Sequence, residues 1–178
     1  MLISKKWLSQ YMDLSDLSIE EIAERITNAG LEVEGIEKGA QATNLVIGHV
    51  ESCVDHPDSD HLHVCQVDVG SDIRQIVCGA PNCEAGILVP VAKVGARLPG
   101  GVKIKKGKLR GVASEGMLCS SEELGVPVEL YPSVGAAGLL IFQEDYPLGA
   151  DVRPILGIDD TVMDFEVLAN RPDCLSVW

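Results

Sequence analysis

The sequence predicts a mainly β protein, a small antiparallel barrel or sandwich with helix-bearing segments before and after it. Three observations carry this. From Gln41 onward, short runs rich in Val and Ile recur at roughly ten-residue spacing with no helix alternating between them. Eighteen glycines and nine prolines punctuate the 178 residues. Only seven side chains are aromatic, so a core drawn from 46% hydrophobic residues must be built mainly of Val, Ile, Leu and Ala.

The flanks come first. Ser4 can cap a short helix in which Trp7 with Tyr11 and Leu8 with Met12 are i,i+4 pairs. In "LSIEEIAERITNAG", Ser18 and Glu21 form a capping box, Leu17 and Ile22 a hydrophobic staple, and Gly30 a stop. Ile19, Ile22, Ala23 and Ile26 make one apolar stripe, and "LEVEGIE" then alternates as a strand.

The β-type runs are "NLVIGHVESCV", "LHVCQVDVG", "RQIVCGA", "ILVPVAKVGA", "VKIKKGKLRG" and "GLLIF", separated by "HPDSD", "APN", "LPGG" and "SEGM". Ser120 and Glu123 can cap a short helix, "SSEEL", ended by Gly125. After Asp151 the pattern changes again. "DDTVMDFEV" puts Met163, Phe165 and Val167 on one strand face, and "NRPDCLSVW" opens like a helix with Pro172 and Asp173 in its first turn. Two turns are too few for a stable helix, so a continuation past Trp178 is expected.

Charge narrows the function. With 14 Lys and Arg against 27 Asp and Glu, the net charge of −13 argues against a general nucleic-acid binder. The average conceals a local excess. Lys93, Arg97, Lys103, Lys105, Lys106, Lys108 and Arg110 lie between positions 93 and 114 with no acidic residue among them. No run of residues is long and apolar enough for a membrane span, and the N-terminus lacks a secretory pattern, so the expected location is the cytoplasm and the six cysteines are expected to be reduced.

"CVDHPDSDHLHVCQVDVG", Cys53 to Gly70, holds two cysteines, three histidines and four aspartates. Zinc sites gather about four Cys or His ligands in closely spaced pairs. Here "PDSD" instead has turn chemistry, with Asp58 or Asp60 available to bond the backbone, and Cys65 alternates with valines. The stretch reads as strand, turn and strand, with no metal expected. A Cys–His nucleophile pairing Cys78 or Cys119 with His49 is the weaker catalytic alternative, and Asp159 and Asp160, being adjacent, point apart on a strand.

Read together, "VIGHVESCVDHPDSDHLHVCQVDVG", "QIVCGAPNCEAGILVPVAKVGARLPGG" and "IKKGKLRGVASEGMLCSSEELG" resemble the tRNA-binding OB-fold module. That module occurs in bacterial phenylalanyl-tRNA synthetase β subunits, in some methionyl-tRNA synthetases and in free-standing tRNA-binding proteins. The stretch before residue 39 and "LANRPDCLS" resemble the two pieces of the small helical domain at the start of those β subunits. The resemblance implies an OB-fold β-barrel, residues 40–151, inserted into a small discontinuous α+β domain, residues 1–39 plus 152–178. It implies an α2β2 ligase that charges tRNA with phenylalanine using ATP and Mg2+ bound outside this chain, with the α subunit and the rest of the β subunit as partners. No cofactor and no catalytic residue is then expected here.

Strand alternation predicts Val102 and Ile104 inside the barrel with Lys103 and Lys105 outside, and a turn at Lys106–Gly107 beyond which Leu109 faces in while Lys108 and Arg110 face out. Such a ridge would contact phosphates, which give affinity without sequence choice. The resemblance adds Arg110, Ser114, Met117 and Ser120 as groove-lining positions, and Asn82 beside them. No Phe, Tyr or Trp lies between Val50 and Leu130, so the stacking platform of many single-strand binders is missing. Weak tRNA binding by the chain alone is expected. Two other readings stand beside this one: a free-standing or chaperone-like OB-fold dimer, and an OB module that packs on a partner subunit without touching RNA.

Overall fold

The computed structural model describes residues 1–39, 42–127 and 138–175. The chain divides into two compact units, Met1–Gly39 with Asp159–Trp178, and Ala40–Ile158. Among the described residues no helix is long and apolar enough to cross a membrane.

The smaller unit is a three-stranded antiparallel sheet with two helices. Strand β1 (Leu2–Ser4) pairs with β10 (Thr161–Glu166), which pairs in turn with β2 (Glu32–Lys38). Helix α1 is a single turn, Lys5–Leu8, whose Trp7 N–H donates to the Ser4 hydroxyl at 2.9 Å. Helix α2, Ile19–Asn28, carries the predicted capping box between Ser18 and Glu21. It ends as the sequence indicates. Gly30 has φ +95°, its N–H reaches Thr27 C=O at 2.9 Å, and Leu31 N–H reaches Ile26 C=O at 3.2 Å. This paired closure satisfies two of the helix's last carbonyls and needs the left-handed conformation that glycine adopts without strain. Met163 and Phe165 are buried against Ile3, Ile19 and Ile22. Asp159 and Asp160 serve the fold: Asp160 accepts from the Ser4 hydroxyl and from Lys6 N–H, and Asp159 pairs with the Lys6 ammonium. "NRPDCLSVW" forms a 3-10 turn at Pro172–Leu175, and residues 176–178 lie outside the described residues.

The larger unit is mainly β, built on a curled five-stranded sheet consistent with an OB-like barrel. Its order is β5 (Ile73–Cys78), β4 (His63–Asp68), β3 (Thr43–Asp55), β6 (Leu88–Arg97) and β9 (Gly116–Leu118). Curling brings the two ends together. Glu115 N–H donates to Gln75 C=O at 2.8 Å, Val77 N–H to the Ser114 hydroxyl at 3.1 Å, and the Gln75 amide to Ala113 C=O at 2.8 Å. Inside lie Val50, Cys65, Val67, Ile76, Val89 and Val91. A second core forms on the opposite face of β3 and β6, where Leu45, Ile47, Ala92 and Ala96 pack against α3 (Ser121–Leu124), α4 (Val152–Leu156) and Leu140.

Two expectations are revised here. Residues 152–158 belong with the β unit, because Val152, Leu156 and Ile158 are buried in that second core. The basic segment is also not one long hairpin about Lys106–Gly107. Residues 102–106 run extended, bonded to β6 through Ile104 N–H to Ala96 C=O and Gly95 N–H to Ile104 C=O. The hairpin proper joins β7 (Gly107–Leu109) to β8 (Val112–Ser114) through Arg110 and Gly111, at φ +44° and +87°. Positive φ at both central residues matches the twist of paired strands. Ile104 is buried as predicted, whereas Val102 and Leu109 are exposed.

Gly48 occupies the barrel side of β3, where an added Cβ would stand 2.4 Å from Val91 Cγ2 and 2.9 Å from Val67 Cγ1. Both neighbours are fully buried. Overpacking of this kind costs about 1–3 kcal/mol. Gly48→Ala is therefore expected to lower the free energy of unfolding by that amount, measured by equilibrium urea denaturation, and an unchanged midpoint would refute the packing described.

Candidate nucleic-acid interface

A groove of about 720 Å3 opens between the end of β5, the 103–109 segment, β9 and α3. Six of the nine residues picked out on sequence line it: Lys103, Lys105, Lys108, Ser114, Met117 and Ser120. Its floor includes Val77, Leu118 and Leu139, and Glu122 and Glu123 sit on the α3 side.

The five cations divide. Lys103, Lys105 and Lys108 are exposed and line the groove. Lys106 forms an ion pair with Glu115, whose carboxyl is held below the ordinary range by that contact. Arg110, at the hairpin tip, donates from Nη1 to Asp58 C=O at 3.0 Å. The ridge thus offers three lysines to the groove, and its other two cations are engaged by neighbouring loops.

The polar side chains divide as well. A serine hydroxyl has one proton to donate. Ser114 is buried, gives its proton to Gly116 C=O at 3.1 Å and accepts from Val77 N–H. Ser120 caps α3: its hydroxyl accepts from Glu123 N–H at 3.2 Å and pairs with the Glu123 carboxylate at 3.0 Å. Asn82 grips Leu139 from both sides, Nδ2 donating to its C=O at 3.0 Å and Oδ1 accepting from its N–H at 2.8 Å. Ser114, Ser120 and Asn82 shape the groove through the backbone they hold. Met117 packs partly into the second core.

One residue that sequence reasoning passed over fixes the ridge. His56 is only 4% exposed. Its Nδ1 accepts from Asp58 N–H at 3.0 Å, leaving Nε2 to donate to Leu109 C=O at 3.1 Å. The "HPDSD" turn is therefore held by the imidazole, and the same ring clamps the tip of the basic hairpin. A histidine immediately before the proline of a turn was the available signal. Arg110 adds a second clamp to the same turn.

The cysteines are free thiols. Cys119 is buried and pushed up to about 12, chiefly by that burial, and the Cys78 thiol is raised by its hydrogen bond with Cys83 and by burial. Neither is a poised nucleophile. His49 instead bonds Glu51 through Nδ1 at 2.8 Å. Cys53, Cys65 and Cys83 converge on one another. Sequence spacing gave no hint of this, because Cys83 arrives from a loop and a bulge near Glu51 turns Cys53 toward Cys65.

Residues 45–151 match the family described as "Putative tRNA binding domain". The phenylalanine–tRNA ligase beta subunit of Oceanobacillus iheyensis is 51% identical over 99% of this chain and 22% of its own length. That of Shouchella clausii is 49% identical over 98% of this chain and, again, 22% of its own. The chain thus spans about a fifth of the length of these curated relatives. A MetRS related protein from Pyrococcus horikoshii is 25% identical over 60% of this chain and 85% of its own, with a TM-score of 0.41. Because the matched stretch takes in the barrel, the hairpin and the whole groove, the chain belongs to the tRNA-binding domain family.

Proposed function

We propose that this chain is the N-terminal, tRNA-positioning part of the β subunit of a cytoplasmic α2β2 phenylalanine–tRNA ligase, contributing to ATP-dependent attachment of phenylalanine to its tRNA without a catalytic group of its own. The observation that carries the proposal is the groove walled by Lys103, Lys105 and Lys108 inside a match to the tRNA-binding domain. Similarity to ligase β subunits over 98–99% of the chain, flanks included, supports this host over a free-standing dimer.

Lysines on an extended segment pinned at its far end present charge at fixed spacing to a phosphate backbone. At physiological salt the screening length is about 8 Å, so acidic groups elsewhere offset this ridge only in part. Lysine contacts to phosphate supply affinity and orientation but read no base. The chain alone should bind tRNA in the nonspecific range of about 10⁻⁴ to 10⁻⁶ M. We assign the ATP and Mg2+ of the whole ligase to the remainder of the enzyme; the charged lining of this groove is lysine, with Glu122 and the capping Glu123 on one side.

A second reading draws on the exposure of Val102 and Leu109 at 56% and 45%, beside the lysines. Apolar side chains so placed suit contact with a partner subunit. Crosslinking of tRNA to the assembled ligase separates the readings. Adducts at residues 103–108 support tRNA contact, and protection by the partner subunit without adducts supports the alternative.

The triple variant Lys103→Ala, Lys105→Ala, Lys108→Ala is expected to weaken tRNA binding about tenfold or more and to reduce the slope of log affinity against log salt by about two to three. Filter binding across a salt series reads both. Asn82→Ala should behave oppositely. Loss of both bonds to the buried Leu139 backbone is expected to cost about 1–3 kcal/mol of stability, with the salt slope unchanged.

A further inference from the structure

We infer that Cys53, Cys65 and Cys83 form a soft-metal site, its fourth position open to water, that takes a thiophilic d10 cation of the zinc(II) class. The three sulfurs come from three separate segments: β3, β4 and the loop that follows β5. Their separations are 3.8 Å for Cys53–Cys65, 3.8 Å for Cys53–Cys83 and 3.4 Å for Cys65–Cys83. A tetrahedral zinc with Zn–S bonds of about 2.3 Å sets its sulfurs about 3.8 Å apart. Two edges of the triangle already have that length, and the third must open by only a few tenths of an ångström.

The loop that brings Cys83 is held by a turn bond and by its neighbour Asn82. Cys83 N–H donates to Ala80 C=O at 3.3 Å, and the neighbouring Asn82 grips Leu139. Cys53 and Cys65 are directly paired across β3 and β4. The ligands are thus organised before any ion arrives.

Burial gives the site a closed inner side and one open approach. Cys65 is wholly buried and Cys83 is 8% exposed, while Cys53 is half-buried at the barrel surface. An ion entering past Cys53 would exchange water for sulfur and shed the thiol protons to solvent. Three thiols packed only as small apolar fillers have no need to converge on one point. Bound zinc would cross-link β3, β4 and the loop behind the groove, in the manner of structural zinc, which contributes folding free energy directly.

The test is made on the full-length protein, purified under reducing, metal-free conditions and equilibrated with Zn2+ or with Co2+ as a spectroscopic probe. Metal analysis is expected to give about one more equivalent per chain for the wild type than for Cys83→Ala. Tetrahedral cobalt bands and a thiolate-to-cobalt charge-transfer band should appear in the wild type. They should be lost in Cys53→Ala, whose half-exposed position leaves the fold intact by circular dichroism, and kept in the control Cys119→Ala. Equal zinc content in wild type and Cys83→Ala would overturn the inference, as would cobalt bands that survive in folded Cys53→Ala.

Discussion

Strand β3 has to be apolar on both faces at once, and the larger unit is organised by how it meets that demand. Leu45 and Ile47 enter the core shared with α3 and α4, while Val46 and Val50 line the barrel. The strand exchanges backbone bonds with β6 over Thr43–His49 and with β4 over His49–Asp55, and its buried middle, residues 45–48, has no room for an unpaired charge. Gly48 leaves room for Val67 and Val91 to meet across the interior. Register shifts near Asn44 and Glu51 then bend the strand at both ends. The second shift changes the alternation, so that Cys53 turns inward and Val54, 58% exposed, turns out.

Closure of the barrel decides what the neighbouring side chains are free to do. The rim of β5 needs partners for its outward backbone groups: Val77 N–H donates to the Ser114 hydroxyl, and Gln75 C=O accepts from Glu115 N–H. Ser114, matched by resemblance to a ligand-contacting position, is therefore committed to the backbone on both its donor and acceptor sides. The same economy appears at Ser120 and Asn82. Once hydroxyls and amides are saturated in this way, lysine ammonium groups are left as the groove's donors for an anionic partner. Recognition then rests on charge and shape, which agrees with the lack of aromatic residues between Val50 and Leu130.

Much of this architecture was legible in the sequence because local chemistry and tertiary structure agree. The Ser18–Glu21 and Ser120–Glu123 capping boxes, the Gly30 stop and the alternation through residues 63–69 all operate over a few residues, and each appears as read. The readings that needed revision turn on distant contacts. The hairpin turn falls at Arg110–Gly111, a pair without the usual Asn-Gly signal, and its position depends on bonds to His56 and Asp58 some fifty residues earlier. Residues 152–158 look like part of the flank until the second core is seen to accept them. The sulfur cluster depends on one bulge and one loop, neither of which has a periodicity to read.

The hairpin is fastened at its tip as well as at its root. Imidazole and guanidinium bonds reach Leu109 C=O and Asp58 C=O, and β8 is sewn to β5 at the other end. An arm tethered at a single point would sweep through many orientations, and a polyanion docking on it would have to freeze that motion. Here the freezing is done during folding, so the entropic toll of docking falls mostly on the lysine side chains themselves.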